Sequence, residues 1–475
     1  MTTPPSETLL TELQAILGPR GFTRDQAEIA PWLTDWRGRF QGRSTALLSP
    51  ASTAEVQAVV MRCAERGTAL VPQGGNSSLA GGATPTGDGS ALLVSMRRMH
   101  AVRSASAEDN VLVAEAGVVL SAVHDAAGGI GRRFPLSLGA KGSATVGGLI
   151  STNAGGTQVL RFGPMRSLTL GLEAVLPDGS LYRGLSALRK DNRGYDLRHL
   201  LIGAEGTLGI VTAASLQLVA LPGSRAVAWL GLASPEAALM LLRRIEGRLG
   251  ESVESFELIP AAALQLVLER IPGTRGPLAT TYAWNVLVEL TGRQGAADAG
   301  ESLASALMSA LDEGLALDGV VAASEAQCEA LWRLRDSIAE AERQGGPALK
   351  HDISVPVAAM PGFMESARAA VEGRFTGSRV IAFGHLGDGN VHFNVQPPES
   401  ADSEQWLARK GPLVTALVYD MVAAAAGSIS AEHGIGQLKV PDLIRTTDPA
   451  RHAAQRAIKH ALDPAGIMNP GKLFP

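Results

Sequence analysis

Apolar and polar positions recur along this chain with two different periods, and the changes of period mark out its elements. Residues 6–17 have the spacing of a short amphipathic helix. Residues 51–67 read as a second helix, with Ser52 or Thr53 as its cap and Gly67 as its stop. A short apolar strand then runs into the loop PQGGNSSLAGG. Residues 171–184, GLEAVLPDGSLYRG, alternate about a Pro177-Asp178-Gly179 turn and predict a hairpin. Residues 200–221 predict strand, loop, strand. Residues 1–222 therefore form one α+β ligand-binding domain, closed at Pro222-Gly223-Ser224. Beyond it, strands alternate with alanine-rich helices at 235–249, 296–313 and 361–373. A second α+β domain over 223–425 and a C-terminal segment over 426–475 are expected.

The second domain contains the stretch GHLGDGNVHFNV. With Asp388-Gly389 at the centre of a tight turn, His385 faces His392 across two strands whose flanks are VIAF on one side and Val391, Phe393 and Val395 on the other. Opposed side chains on an antiparallel pair project from one face with Cβ atoms about 4.5–5.5 Å apart, close enough for two imidazoles to share an ion. Asn394 falls on the same face as His392. The spacing is equally compatible with a plain hairpin carrying incidental histidines.

Two glycine-rich stretches stand out in the first domain. The loop beginning Pro72-Gln73 exposes N–H groups able to surround a phosphate, yet it carries neither the lysine of a Walker loop nor the spaced glycines of a dinucleotide-binding helix. The stretch 137–156 gathers Gly139, Gly142, Gly147, Gly148, Gly155 and Gly156, which lets backbone approach a flat or anionic ligand.

Composition narrows the partners. A formal charge of −4 with no long basic run argues against nucleic acid, so charge on a substrate must be met locally. Cys63 and Cys328 are isolated and read as small core residues, which excludes a disulfide framework and a thiolate-held cluster. The stretch MTTPPSETLL has no signal-peptide pattern, and no run of about 18 apolar residues occurs, so a cytoplasmic protein without a membrane span is expected.

In this order, PQGGNSSLAGG, LGAKGSATVGGLISTNAGG, RKDNRGYDLRHLLIGAEGTLGIVT, GHLGDGNVHFNV and SAEHG resemble the FAD-dependent D-2-hydroxyacid dehydrogenases of the vanillyl-alcohol oxidase fold. The resemblance runs from about residue 33 to the C-terminus and is strongest to the D-2-hydroxyglutarate dehydrogenase branch, with D-lactate dehydrogenases and the glycolate oxidase large subunit as relatives. It implies a two-part FAD-binding domain, an α+β substrate (cap) domain, and a C-terminal segment returning to the flavin. Carried over position by position, it implies that Pro72, Gln73, Gly74, Gly75, Asn76, Ser77 and Ser78 hold the pyrophosphate. Leu138, Gly139, Gly142, Ser143, Thr145, Gly148, Asn153 and Gly155 would line the cofactor. Glu205, Gly206, Gly209, Ile210 and Asn469 would complete its site. The first loop has no histidine to attach flavin, so FAD is expected to be noncovalent.

The same resemblance makes His385, His392 and Glu432 ligands of a divalent metal. Two imidazoles and a carboxylate suit zinc, with manganese, cobalt and iron left open. It makes His433 the catalytic base, and Arg335, Lys350 and Asn394 substrate-binding residues. The resemblance makes D-2-hydroxyglutarate the expected substrate, but where the hydroxyglutarate enzymes carry a threonine this chain has Ala339, which leaves D-malate, D-lactate or a bulkier D-2-hydroxyacid open. The implied reaction is hydride transfer from a D-2-hydroxyacid to flavin N5. The alternatives weighed are a sugar or alcohol FAD oxidase of the same fold and a noncatalytic flavin or metal carrier. No second nicotinamide site is evident, so electron-transfer flavoprotein or a quinone-linked carrier is expected as electron acceptor. Whether the chain pairs as a homodimer is left open.

Overall fold

The structure is a computed structural model that describes residues 3–295 and 297–475. The chain divides into two compact units. One comprises the chain up to Gly156, Gly163–Ala220 and Glu432–Pro475; the other comprises Thr157–Phe162 and Leu221–Ala431. The expected boundaries at 222/223 and 425/426 thus fall at 220/221 and 431/432. The inclusion of Thr157–Phe162 in the second unit had no signal in the sequence.

The first unit is built on two sheets. A four-stranded sheet has the order Phe22–Thr23, Leu47–Leu48, Ala91–Ser95, Ala69–Gln73, with its last three strands parallel. An antiparallel five-stranded sheet has the order Val102–Ser106, Val111–Glu115, Ile210–Gln217, Thr169–Val175, Leu181–Gly184. The predicted hairpin at 171–184 supplies its last two strands. Helix Thr53–Arg66 starts where Ser52 Oγ accepts from the Glu55 N–H at 3.2 Å and stops at Gly67, φ 63°. Its Val56, Val59, Val60 and Cys63 pack with Leu9, Leu13 and Leu17 of helix Glu7–Gly21 over Leu48, Leu70 and Leu92. On the other face of the sheet, Leu47, Val71 and Leu93 pack with Ile29. Each such fully buried side chain contributes about 1.5–3 kcal/mol. Burial also pushes the Cys63 thiol up to about 12, which fits an inert core cysteine.

One predicted strand is absent. Residues 197–201 form a helical turn, because Asp196 caps it by accepting from the His199 N–H at 3.3 Å. Only the later part of 200–221 is strand.

The second unit is a seven-stranded antiparallel sheet. Its strands are β1 (Ser224–Leu232), β2 (Val253–Pro260), β3 (Trp284–Gly292), β4 (Asp318–Val321), β5 (Leu349–Ser354), β6 (Arg379–His385) and β7 (Asn390–Gln396). They lie in the order β4-β1-β3-β2-β6-β7-β5. The predicted helices are Pro235–Leu249, Ala299–Asp312 and Met360–Arg374. Residue 296, at the start of the second of these predictions, lies outside the described residues. Three further helices, α1 (Ala261–Arg270), α2 (Glu325–Asp336) and α3 (Ile338–Gln344), cover one face of the sheet. There Leu266, Val267, Leu331, Trp332, Ile338 and Ala341 pack on Trp229, Leu287, Ile259, Ile381 and Phe383.

Candidate active site

The face covered by α1 to α3 changes character across the second unit. Cα partners share a face, so one row runs Trp229, Leu287, Glu257, His385, Asn390, Ser354 from β1 to β5. The next rows contain Phe383, His392 and Asp352, then Ile381, Asn394 and Lys350. The rows are apolar at one end and polar at the other. Buried polar groups need partners, and here Glu257, Asp352 and Asn394 find them within the sheet or on the covering helices.

The hairpin differs in register from its sequence prediction. The loop is residues 386–389, His385 pairs with Asn390, and His392 pairs with Phe383. Asp388 and Gly389 close the loop rather than centre it. Asp388 Oδ1 accepts from the Asn390 N–H at 3.0 Å, and the Gly389 N–H donates to His385 O at 3.0 Å, with Gly389 at φ 81°. The slip is two residues, and side chains alternate with period two, so both histidines still share a face. Their ring centroids are 5.4 Å apart.

Glu257, which sequence reasoning missed, organises this strip. It is fully buried; its Oε1 lies 2.6 Å from His385 Nδ1, and its Oε2 accepts from Arg335 Nε at 2.7 Å. Burial alone would push this carboxyl up, but the His385 imidazole and the Arg335 guanidinium outweigh burial and hold it at about 2. An ionised carboxylate can only accept, so Nδ1 is the protonated nitrogen of His385. Nε2, with an Arg335 Nη2 donor at 3.4 Å, is the accepting one. That is the tautomer a metal-binding histidine needs, fixed by a carboxylate behind the ring. The signal available in the sequence was acidic residues inside an apolar strand, VESFELIP.

Arg335 sits near the end of α2 and is 8% exposed, so it is no solvated surface arginine. Its capacity to grip a substrate carboxylate is partly spent, because Nε belongs to Glu257. Lys350 and Asn394 converge on another acid that sequence reasoning missed. Glu342 of α3, 1% exposed, lies 3.5 Å from Lys350 Nζ, and its two oxygens are 2.9 and 2.7 Å from Asn394 Nδ2. Burial pushes the Glu342 carboxyl up, while Lys350 and the Asn394 amide pull against it. Ala339, on the first turn of α3, is exposed. Beside His392, the buried Asp352 accepts from Asn390 Nδ2 at 3.0 Å.

In the first unit the three loops predicted to hold the cofactor are tied to one another. A Cβ on Gly75 would lie 1.6 Å from Ser143 O, and one on Gly74 would lie 2.2 Å from Thr145 Oγ1, so these glycines let the first loop touch the second. Thr145 caps helix Val146–Thr152, its Oγ1 accepting from Gly148 N at 3.4 Å, and Asn153 ends that helix at φ 51°. The Glu205 N–H donates to Ser151 O at 2.8 Å, Gly206 packs on Pro72, and Gly209 packs on Val175 O. Asn469 Nδ2 donates to Gly82 O at 2.9 Å and to Glu205 O at 2.7 Å. Ser78 Oγ accepts from the Ala80 and Gly82 N–H groups. Ile210 places its side chain in the core with Val175 and Ile467, leaving only backbone for a ligand.

Several observations fit a flat, anionic cofactor here. Among the described residues, the N–H groups of Gly75, Asn76 and Ser77 donate to no protein acceptor. Gln73 Oε1 and Asn469 Oδ1 are buried without a partner. Leu138 is half-buried and Gly155 buried, while a Cβ on Gly139 or Gly142 would meet nothing within 4 Å. Asn76, Asn153, Glu205 and Asn469 all have positive φ, which concentrates backbone strain in these loops.

Glu432 and His433 open the last stretch of the first unit, directly after Ala431. The backbone that follows them is held by Glu205, whose oxygens accept from the Ile435 and Gly436 N–H groups at 2.7 Å each. Burial pushes the Glu205 carboxyl up despite these two hydrogen bonds.

Residues 221–473 match the family described as FAD linked oxidases, C-terminal domain, and residues 44–184 match the FAD binding domain family. The chain is 39% identical to the mitochondrial D-2-hydroxyglutarate dehydrogenase of Bos taurus, covering 99% of this chain and 84% of that one. It is 37% identical to the D-2-hydroxyglutarate dehydrogenase of Xanthomonas citri pv. viticola, over 98% of this chain and 96% of that one. Among solved structures, p-cresol methylhydroxylase superposes with a TM-score of 0.74 at 14% identity, covering 100% of this chain and 98% of that one.

Proposed function

Because the chain belongs to the FAD-linked oxidase family and is an FAD-dependent oxidoreductase of the vanillyl-alcohol oxidase fold, we propose that it oxidises a D-2-hydroxyacid to the 2-oxoacid. The observation that carries this reading is the polar strip of the second unit, where Glu257 turns the accepting nitrogen of His385 onto the face it shares with His392. Bound FAD supplies the two-electron acceptor for the hydride from C2. The residues Pro72–Ser78, the positions named between Leu138 and Gly155, and Glu205, Gly206, Gly209, Ile210 and Asn469 hold it without a covalent bond.

His385, His392 and Glu432 hold a divalent ion, with zinc best suited to the donor set. Ala431 N–H donates to the backbone oxygen of Asp352, the Cα partner of His392, at 3.3 Å, and Glu432 follows one residue on. When bound, such an ion lowers the pKa of a coordinated hydroxyl. His433 takes the hydroxyl proton. Arg335, Lys350 and Asn394 line the side of the site that receives the rest of the substrate. Electrons leave through electron-transfer flavoprotein or a quinone-linked carrier.

Holding hydroxyl, carboxylate and C2–H at once admits one enantiomer. Anaerobic mixing with paired D- and L-2-hydroxyacids, followed by the oxidised flavin absorbance, tests the proposal. Bleaching by D forms alone is expected, and equal bleaching by L forms contradicts it.

A further inference from the structure

The cations of the polar strip are already matched by carboxylates of the same unit. Arg335 is paired with Glu257 at 2.7 Å and Lys350 with Glu342 at 3.5 Å. Asn394, the other polar side chain at the far end of the strip, gives its amide N–H groups to both oxygens of Glu342. The pair Lys350 and Asn394 lies two residues along the strands from the pair Asp352 and His392 on the same face. Two residues of strand span about 7 Å, roughly the length of a four- or five-carbon acid. A hydroxyacid held at His392 by its hydroxyl end therefore directs the far end of its chain toward Lys350, Asn394 and Glu342.

From this juxtaposition we infer that Glu342 selects against a second carboxylate, so that the substrate is a D-2-hydroxyacid whose side chain carries no anionic group. A distal carboxylate brought to Lys350 meets the Glu342 carboxylate on the same lysine. In a partly buried site, two like charges at such separation repel strongly enough to lower reaction efficiency by about 10- to 100-fold. A neutral side chain meets no such charge, and Glu342 keeps the partners it has. Ala339 adds no hydrogen-bonding atom on that helix. The inference rests on the D-2-hydroxyacid reading above and gives it a substrate class.

The test is a set of anaerobic flavin-reduction measurements on the FAD-loaded protein and its Glu342→Gln variant. The substrates are D-2-hydroxybutyrate and D-lactate as monoacids, and D-malate and D-2-hydroxyglutarate as diacids. The unmodified protein should favour the monoacids. In Glu342→Gln the ratio of diacid to monoacid kcat/KM should rise by at least about tenfold, chiefly through KM. Glu342→Leu, which removes the charge without an amide, provides a second variant if the first folds poorly, as judged by flavin content. A preference for diacids in the unmodified protein, or a ratio that stays level or falls in the variants, overturns the inference while leaving the dehydrogenase reading intact. If no hydroxyacid of either hand bleaches the flavin, the parent reading falls and the inference with it.

Discussion

Glu205 in the first unit and Glu257 in the second are both buried glutamates, and the two behave in opposite ways. Glu205 in the first unit is surrounded by backbone: its oxygens accept from the Ile435 and Gly436 N–H groups, and its carboxyl is pushed up by burial. Glu257 in the second unit is clasped by Arg335 and His385, and its carboxyl is held at about 2. Two backbone N–H donors, even with Lys439 and Lys472 pulling the same way, do not replace the hydration that a carboxylate loses, whereas a guanidinium and an imidazole N–H in direct contact more than replace it. The first arrangement suits a residue that fixes the path of a backbone; the second suits one that fixes the charge and tautomer of reacting side chains.

The largest expected effect comes from breaking the charged clasp. Glu257→Gln leaves Arg335 as a buried cation without its carboxylate and should lower stability by about 3–5 kcal/mol in urea titrations. The double change Glu257→Gln with Arg335→Met should recover most of that stability but not the rate of flavin reduction. Acid titration sharpens the point. Because the folded value lies near 2, below the ordinary 4.5, the stabilisation from Glu257 is fully present above pH 4.5 and is lost as pH falls through about 2. The variant should lack that acid-side loss.

A smaller effect is expected at Glu205. Glu205→Gln turns an amide NH2 toward one of two backbone donors and should cost about 1–3 kcal/mol, read as a lower thermal midpoint. The sign with pH is reversed. A carboxyl raised above 4.5 in the folded state gives greatest stability below pH 4.5, declining as pH rises through its folded value, and the variant should lose that decline. Flavin should stay bound if Glu205 acts on the path of residues 432–436 rather than on the cofactor itself.

The contrast also shows what the sequence made legible. Glu205 stands inside a glycine-rich motif and was named with its loop, although its carboxylate turns out to hold the backbone after His433. Glu257 and Glu342 carry no motif. Their roles arise from non-local pairing, Glu257 opposite His385 across β2 and β6 and Glu342 on a helix laid over β5 and β7, which no local pattern encodes. The histidine hairpin lies between these cases. Its face was readable from period two and its register was not, because the loop spans 386–389 with the Asp388 side chain closing it, which centres it one residue before Asp388-Gly389 and slips the pairing by two. The helical turn at 197–201 was missed because a capping aspartate outweighed an apolar run.

If the chemistry lies on the histidine strip, it answers to one set of samples: metal content, flavin content and anaerobic reduction by a D-2-hydroxyacid, measured together on unmodified, chelated and His392→Ala protein. The variant should keep its FAD and its fold, contain no bound metal, and reduce flavin at least about 100-fold more slowly, the rate equivalent of roughly 3 kcal/mol. Chelation should reproduce the loss, and a divalent ion should restore the chelated protein but not the variant. Full-rate flavin reduction in metal-free protein would rule out a metal-dependent reaction at His385 and His392.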